Sequence, residues 1–253
     1  MSEQGTARAQ PAPDRADTAA HSTGGALTET VVRRLEELIF NGQVEPGDSL
    51  PSESELSREL GVSRLTVREA VRALQTRGLI QVSHGRRPVV AHPNAAPLHD
   101  FFSSSVRRDA RGLLELLEVR LAVEVHTAEL AARHATLSDI RILEAALAAM
   151  RDAGQDESAF NAADVRFHAA IAAASGNRML SLLVEGMEQP LHSSRMESIR
   201  GYLSADKDLH HLLATHEAIY DRIAARDQAG AARTMRKHLI RTRNDLRTAF
   251  ALR

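Results

Sequence analysis

The chain has 253 residues, 43% hydrophobic, with 32 Lys and Arg against 33 Asp and Glu and no Cys. That length suits two domains on the usual prior of about 100–200 residues each, and the missing thiols exclude a disulfide framework and any thiolate metal site. A formal charge of −1 excludes a globally basic nucleic-acid coat, and no apolar run approaches the roughly 18 residues that a membrane span requires.

Residues 1–26 are rich in Ala, Gly, Ser, Thr, Gln and Pro and read as a disordered arm without a signal peptide. Together with the lack of a span, this gives the expectation of a cytoplasmic protein. Thr28 can cap a first helix whose apolar positions Val31, Val32, Leu35, Leu38 and Ile39 recur at helical spacing, and Asn41-Gly42 ends it. Ser52 with Glu55 three residues later is a capping-box signature for a second helix, which Gly61 stops near Leu60. Ser63 then caps a third helix, from Arg64 to about Arg77. Two β-favouring runs, at 79–82 and 88–90, flank Ser83-His84-Gly85-Arg86-Arg87 and read as a hairpin. Helix, tight turn, helix and hairpin over residues 27–92 describe a winged helix-turn-helix.

On the third helix Val67, Ala70, Val71 and Leu74 form an apolar stripe that must face a core, while Arg64, Arg68 and Arg72 form a separate i, i+4, i+8 line. From Ser57 to His92 there are seven Arg against two acids, so the near-zero sum hides a basic patch of +5. Guanidinium groups there suit phosphate contacts and bidentate reading of guanine, and the N-terminal residues, Ser63 to Arg68, are the expected readers of double-stranded DNA.

Pro93 and Pro97 punctuate an expected linker, residues 93–108. From 109 to the C-terminus nearly everything has helical period, with helices expected near 111–134, 138–152, 157–174, 177–200, 206–226 and 228–250. Within this all-α region Asp164 and His168 are four residues apart, which puts both on one helix face at ligand spacing for a divalent metal. His216 and His238, on separate helices, could point inward beside Ile219 and Leu239, and one carboxylate with three imidazoles suits Zn(II) or Ni(II). His126, His134, His192, His210 and His211 compete for the role, and spacing alone does not choose among them.

The run from Pro46 through Ile80 resembles the GntR family of bacterial regulators almost throughout. The resemblance implies that Ser63, Arg64, Thr66 and Arg68 contact DNA from the recognition helix and that His84 and Gly85, at the wing tip, approach the minor groove. Two positions depart from the pattern: Ser54 stands where many members have Arg, and Arg87 where many have a second Gly. The stretch from about Arg111 onward resembles the FCD effector domain of the FadR subfamily through E118-V-R120, D164-V-R-F-H168, S175-G-N177, H216-E-A-I219 and His238. That resemblance implies a helical bundle spanning residues 109–253 in which Asp164, His168, His216 and His238 are the metal ligands and Arg120 and Asn177 line the same cavity. An organic acid would suit such a cavity, since Arg matches carboxylate geometry bidentately. Arg120 could equally form an ion pair with Glu118 or Glu124, and Asn177 could be a helix cap. The reading is a mainly α homodimeric regulator, a repressor released by a small carboxylate effector. Its competitors are a metal-dependent hydrolase with Glu217 as base, and a DNA-binding structural protein without a sensor.

Overall fold

The computed structural model describes residues 15–83, 85–108, 110–203 and 209–251. The chain divides into two compact units, Met1–Asn94 and Ala95–Arg253. Ten helices and one two-stranded sheet are present among the described residues.

In the first unit α1 (Arg15–Phe40) packs on α3 (Arg64–Thr76), with α2 (Glu53–Leu60) between them in the chain. The short elements hold because their ends are satisfied. Ser52 Oγ accepts from the Glu55 N–H at 3.2 Å while the Glu55 carboxylate accepts from the Ser52 N–H at 2.7 Å, so two orphan donors of the first turn are paired. Gly61 ends α2 at φ +66°, a left-handed conformation that a residue with a Cβ adopts only under strain. Ser63 then caps α3 by accepting from Thr66 N–H at 3.1 Å. β1 (Ile80–Gln81) and β2 (Val89–Val90) pair antiparallel, with Ile80 opposite Val90 and Gln81 opposite Val89. Val31, Val32 and Leu35 from α1 meet Leu50, Leu56, Val67, Ala70, Val71, Leu74, Ile80 and Val90 in one core. Each fully buried Leu or Val contributes about 1.5–3 kcal/mol by the area it removes from water. The helix anticipated from Thr28 begins at Arg15, so residues 15–26, read from sequence as part of a disordered arm, are helical. Ala16, Ala19 and Ala20 favour that extension and no proline interrupts it. Residues 1–14 lie outside the described ones.

The second unit is all helical: α4 (Ala96–Arg108), α5 (Ala110–His134), α6 (Leu137–Asp152), α7 (Glu157–Ala174), α8 (Arg178–Leu203), α9 (Leu209–Ala224) and α10 (Gln228–Ala251). The expectation of a linker over residues 93–108 fails for α4. Pro97 sits in the first helical turn, where its missing N–H has no intrahelical role, and Phe102 and Val106 pack against Leu116, Leu117, Val184 and Met187. α4 lies close on α8 because position 186 is Gly: a Cβ there would stand 2.7 Å from Leu98 Cβ.

α7 is the central element, packed against α5, α6 and α8. Phe160, Ala163, Phe167, Ala170, Ile171 and Ala174 are buried along it, and so are Asn161, Asp164 and His168. Such all-round burial is that of a bundle's inner helix, and it puts three polar side chains where water does not compensate them. No helix among the described residues is long and apolar enough to cross a membrane.

Candidate functional site

In the first unit the two faces of α3 divide as the sequence pattern requires. Val67, Ala70, Val71 and Leu74 are buried, while Ser63, Arg64, Arg68 and Arg72 are exposed. Ser63 Oγ lies 2.8 Å from Thr66 Oγ1, so both hydroxyls stand at the N-terminus of α3, where backbone N–H groups and the helix dipole favour a phosphate. Arg68 is not free: its Nε and Nη2 donate to the Glu53 carboxylate at 3.1 and 2.9 Å. Arg87, at the position where the family pattern has glycine, donates to Glu55 Oε1 at 2.9 Å and so ties the wing to the capping box of α2. Arg77 turns away to Glu36 on α1 at 2.6 Å. Gly85 has φ +70°, the left-handed value a tight wing turn needs. His84 lies outside the described residues. Leu65, inside the Ser63 to Arg68 run but not singled out from the sequence, is a large apolar side chain left 63% exposed.

In the second unit Asp164, His168, His216 and His238 are all buried, and one ligand atom from each lies within 4.8 Å of the others. Asp164 and His168 are one turn apart on α7, His216 comes from α9 and His238 from α10. Local polar contacts aim the rings. His216 Nδ1 donates to the Leu212 carbonyl at 2.8 Å, which leaves Nε2 as a lone pair facing Asp164 Oδ1 at 2.8 Å. Two acceptors at that separation require a cation between or upon them. His168 presents Nδ1 to Glu124 Oε2 at 2.5 Å and Nε2 to Asp164 Oδ1 at 3.6 Å. A carboxylate behind one ring nitrogen, with the other nitrogen turned inward, is the arrangement that orients metal-binding imidazoles. His238 stacks on His168, with ring centroids 5.3 Å apart, and meets His216 edge-on at 4.6 Å.

Glu124 and Arg120, one turn apart on α5, complete the site with Arg195 of α8. Arg120 Nε donates to Glu124 Oε1, deciding between the two ion pairs that the sequence left open. Arg120 also lines a small cavity of about 30 Å³ together with Asp164, Arg195, His216 and His238. Burial would raise the acids' pKa values, but opposite charges outweigh it. Arg120, His168 and Arg195 hold Glu124 well below the ordinary carboxylate range, and His168, His216 and Arg195 do the same for Asp164. Burial opposes a charged His168, yet Glu124 and Asp164 raise its pKa against Arg120. At His238 the balance reverses: burial and the neighbouring imidazoles outweigh Asp164 and press its pKa well below the usual value, so it offers a neutral lone pair.

Asn177 is not brought to this cavity. Its Oδ1 accepts from the backbone N–H groups of Met179 and Leu180 at 3.0 and 3.2 Å, so it caps α8, because the turn after α7 leaves those donors unpaired. The competing histidines are elsewhere as well. His134 contacts the Ser175 carbonyl at 2.9 Å, His192 accepts from Asn161 Nδ2 at 3.0 Å, His211 accepts from Arg241 at 3.0 Å, and His126 and His210 are exposed. Sequence reasoning gave Glu124 no part in this site beyond a possible ion pair with Arg120, and it missed Arg195 altogether. Burial of Arg195 depends on packing between helices distant in sequence, and no local signal announces it.

Comparison with known proteins bears on both sites. Residues 27–90 match the family model "Bacterial regulatory proteins, gntR family", and residues 115–241 match the FCD domain. The chain belongs to the GntR family. It is a DNA-binding transcriptional regulator with an FCD effector domain, and the FadR-like subfamily is consistent with that pairing. The chain is 32% identical over 203 residues to the HTH-type transcriptional regulator LutR of Bacillus subtilis, covering 80% of this chain and 93% of that one. The Galactonate operon transcriptional repressor of Escherichia coli is 30% identical over 210 residues, covering 79% and 88%. The HTH-type transcriptional repressor NanR of Klebsiella aerogenes is 31% identical over 225 residues, covering 84% and 82%. Among solved structures, Streptococcus agalactiae GntR aligns with a TM-score of 0.67 at 27% identity, over 86% of this chain and 99% of that chain. The relatives are transcriptional regulators, not enzymes, which sets the hydrolase reading aside.

Proposed function

We propose that this GntR-family regulator is a cytoplasmic homodimeric repressor that binds an operator through α3 and the wing, and is released when a small organic acid binds the Asp164, His168, His216 and His238 cluster. The observation that carries the sensing half is the set of four buried donors from three helices, with the His216 ring aimed by a hydrogen bond to the Leu212 carbonyl and the His168 ring backed by the Glu124 carboxylate. The donor set fits a divalent ion, Zn(II) or Ni(II), and such an ion would supply a Lewis-acidic charge for a carboxylate. Arg120, held through its Nε by Glu124, would add a guanidinium to one side of that carboxylate.

On the DNA side Ser63 and Thr66 contact phosphate, Arg64 and Arg68 read base edges, and Gly85 with His84 brings the wing to the minor groove. Glu53 keeps Arg68 in one rotamer, so less conformational freedom is lost when it docks. Leu65 would meet a thymine methyl group, the apolar feature that the major groove offers. Two copies of α3 then require half-sites one helical turn or a multiple apart.

The test is metal content by mass spectrometry on untagged wild type and His216→Ala, followed by electrophoretic mobility shifts with and without added carboxylates. About one divalent ion per chain, lost in the variant, supports the reading. Operator affinity that no acid changes in the metal-loaded protein refutes the coupling.

A further inference from the structure

Arg195 is a deeply buried charged group at the cavity for which the proposed function gives no role. It is 5% exposed, lines the cavity beside Arg120, and its Nε and Nη1 have no hydrogen-bond partner among the described residues. The closest carboxylate oxygen, Asp164 Oδ2, stands 3.6 Å from Nε, too far for a hydrogen bond. A buried guanidinium carries five donors that desolvation makes costly to leave unused. Arg120 differs in degree: Glu124 takes its Nε and only its Nη2 is left without a partner among the described residues.

The charges around the cavity point the same way. Asp164 and Glu124 cancel Arg120 and Arg195, and Arg241 and Asp245, both on the cavity wall, add no net charge. Glu188 is half-buried and does not line the cavity. With neutral imidazoles, a divalent ion leaves two uncompensated positive charges in a largely buried space. A monocarboxylate neutralises one of them; a dianion neutralises both.

We propose that Arg195 is a second anion-binding residue and that the effector of this regulator is a dianionic acid, one carboxylate going to the metal cluster and Arg120 and the other to Arg195. This rests on the metal-centred reading above and adds the class of acid. Arg195 thereby sets specificity: its unused donors have no partner when a monoacid is bound.

The test is calorimetric titration of the zinc-loaded full-length protein with succinate and with butyrate, which share four carbons and differ by one carboxylate. Wild type is expected to bind succinate at least tenfold more tightly. In Arg195→Met that ratio falls to near one through loss of succinate affinity. Arg195→Lys keeps the charge without the planar fork, so an intermediate ratio is expected, and it decides the matter should the methionine variant not fold. Equal affinities in wild type, or a ratio untouched in both variants, overturns the role of Arg195 while leaving the metal-centred sensor standing. A wild type that retains no zinc and binds neither acid overturns both together.

Discussion

Replacing Glu124 by Gln removes a charge from the middle of the buried cluster without changing its volume. Glu124 is 2% exposed, accepts from Arg120 Nε and faces His168 Nδ1, so the variant leaves a buried guanidinium without its counter-charge and sets an amide against an imidazole. Removing one partner of a buried pair costs about 3–5 kcal/mol, because the surviving charge stays desolvated. For chains of roughly 150–250 residues each kcal/mol moves the midpoint by about 2–4 °C, so the variant should melt about 6–20 °C below wild type. Circular dichroism melts at neutral pH in chelator separate this from any metal effect. Glu118→Gln is the control, since Glu118 is half exposed and pairs with Arg243 at the surface, where such pairs contribute about 0–1 kcal/mol. A second arm measures zinc affinity by competition with a chromogenic chelator, and a loss of about 10–100-fold is expected when a carboxylate behind a ligand histidine is removed. Should Glu124→Gln melt no lower than Glu118→Gln, the electrostatic account of this cluster is wrong.

Three further outcomes follow from other parts of the molecule. Arg64→Ala should weaken operator binding by about 1–3 kcal/mol, measured by fluorescence anisotropy at fixed salt, and equal affinity of variant and wild type would remove Arg64 from the reading surface. Gly186→Ala places a Cβ 2.7 Å from Leu98 Cβ, so α4 and α8 must separate, with an expected loss of about 1–3 kcal/mol in a urea melt; an unshifted midpoint would mean the contact relaxes freely. Tyr220 donates to Glu144 Oε1 at 2.5 Å, and that bond, with burial and the carboxylate's charge, lifts the phenol to about 12. Because the folded value is raised, the bond's stabilisation is complete below the ordinary 10.0 and is lost as pH rises through about 12. Absorbance titration in a Tyr202→Phe background should show that midpoint, falling toward the ordinary value in Glu144→Gln, and a midpoint near 10.0 in both proteins would contradict the bond.

What the sequence disclosed was local. Ser52 with Glu55, Gly61 and Ser63 set the ends of α2 and α3 through contacts within four residues, and the Val67 to Leu74 stripe assigns the buried face by period alone. Asp164 and His168 are legible as a pair for the same reason. Choosing His216 and His238 from the other histidines took the family resemblance, because only the packing of α9 and α10 around α7 brings them there. Glu124 and Arg195 had no readable signal of their own in this site: an acid and a base on amphipathic helices look like solvated residues until the facing helices are known. α4 was missed because Pro97 reads as a break, although in a first helical turn proline breaks nothing.

Of the ten buried polar side chains among the described residues, seven stand at this one locus: Arg120, Glu124, Asp164, His168, Arg195, His216 and His238. A bundle selected only for stability would fill the same volume with Leu and Ile, since buried ion pairs are often no better than well-packed apolar groups and sometimes worse by about 1–4 kcal/mol. The surrounding helices accordingly carry an interior weakness that binding can reverse. A ligand at 100 times its dissociation constant returns about 2.7 kcal/mol to the state that binds it. Only the part of that energy that differs between DNA-competent and released forms can act on the operator, and a coupling of about 1–3 kcal/mol corresponds to roughly a 5–150-fold change in affinity. A site of this kind would hold enough energy for a regulatory switch if most of its binding energy were specific to one form, and α7 is well placed within it, because it carries Asp164 and His168 and packs on α5, α6 and α8 together.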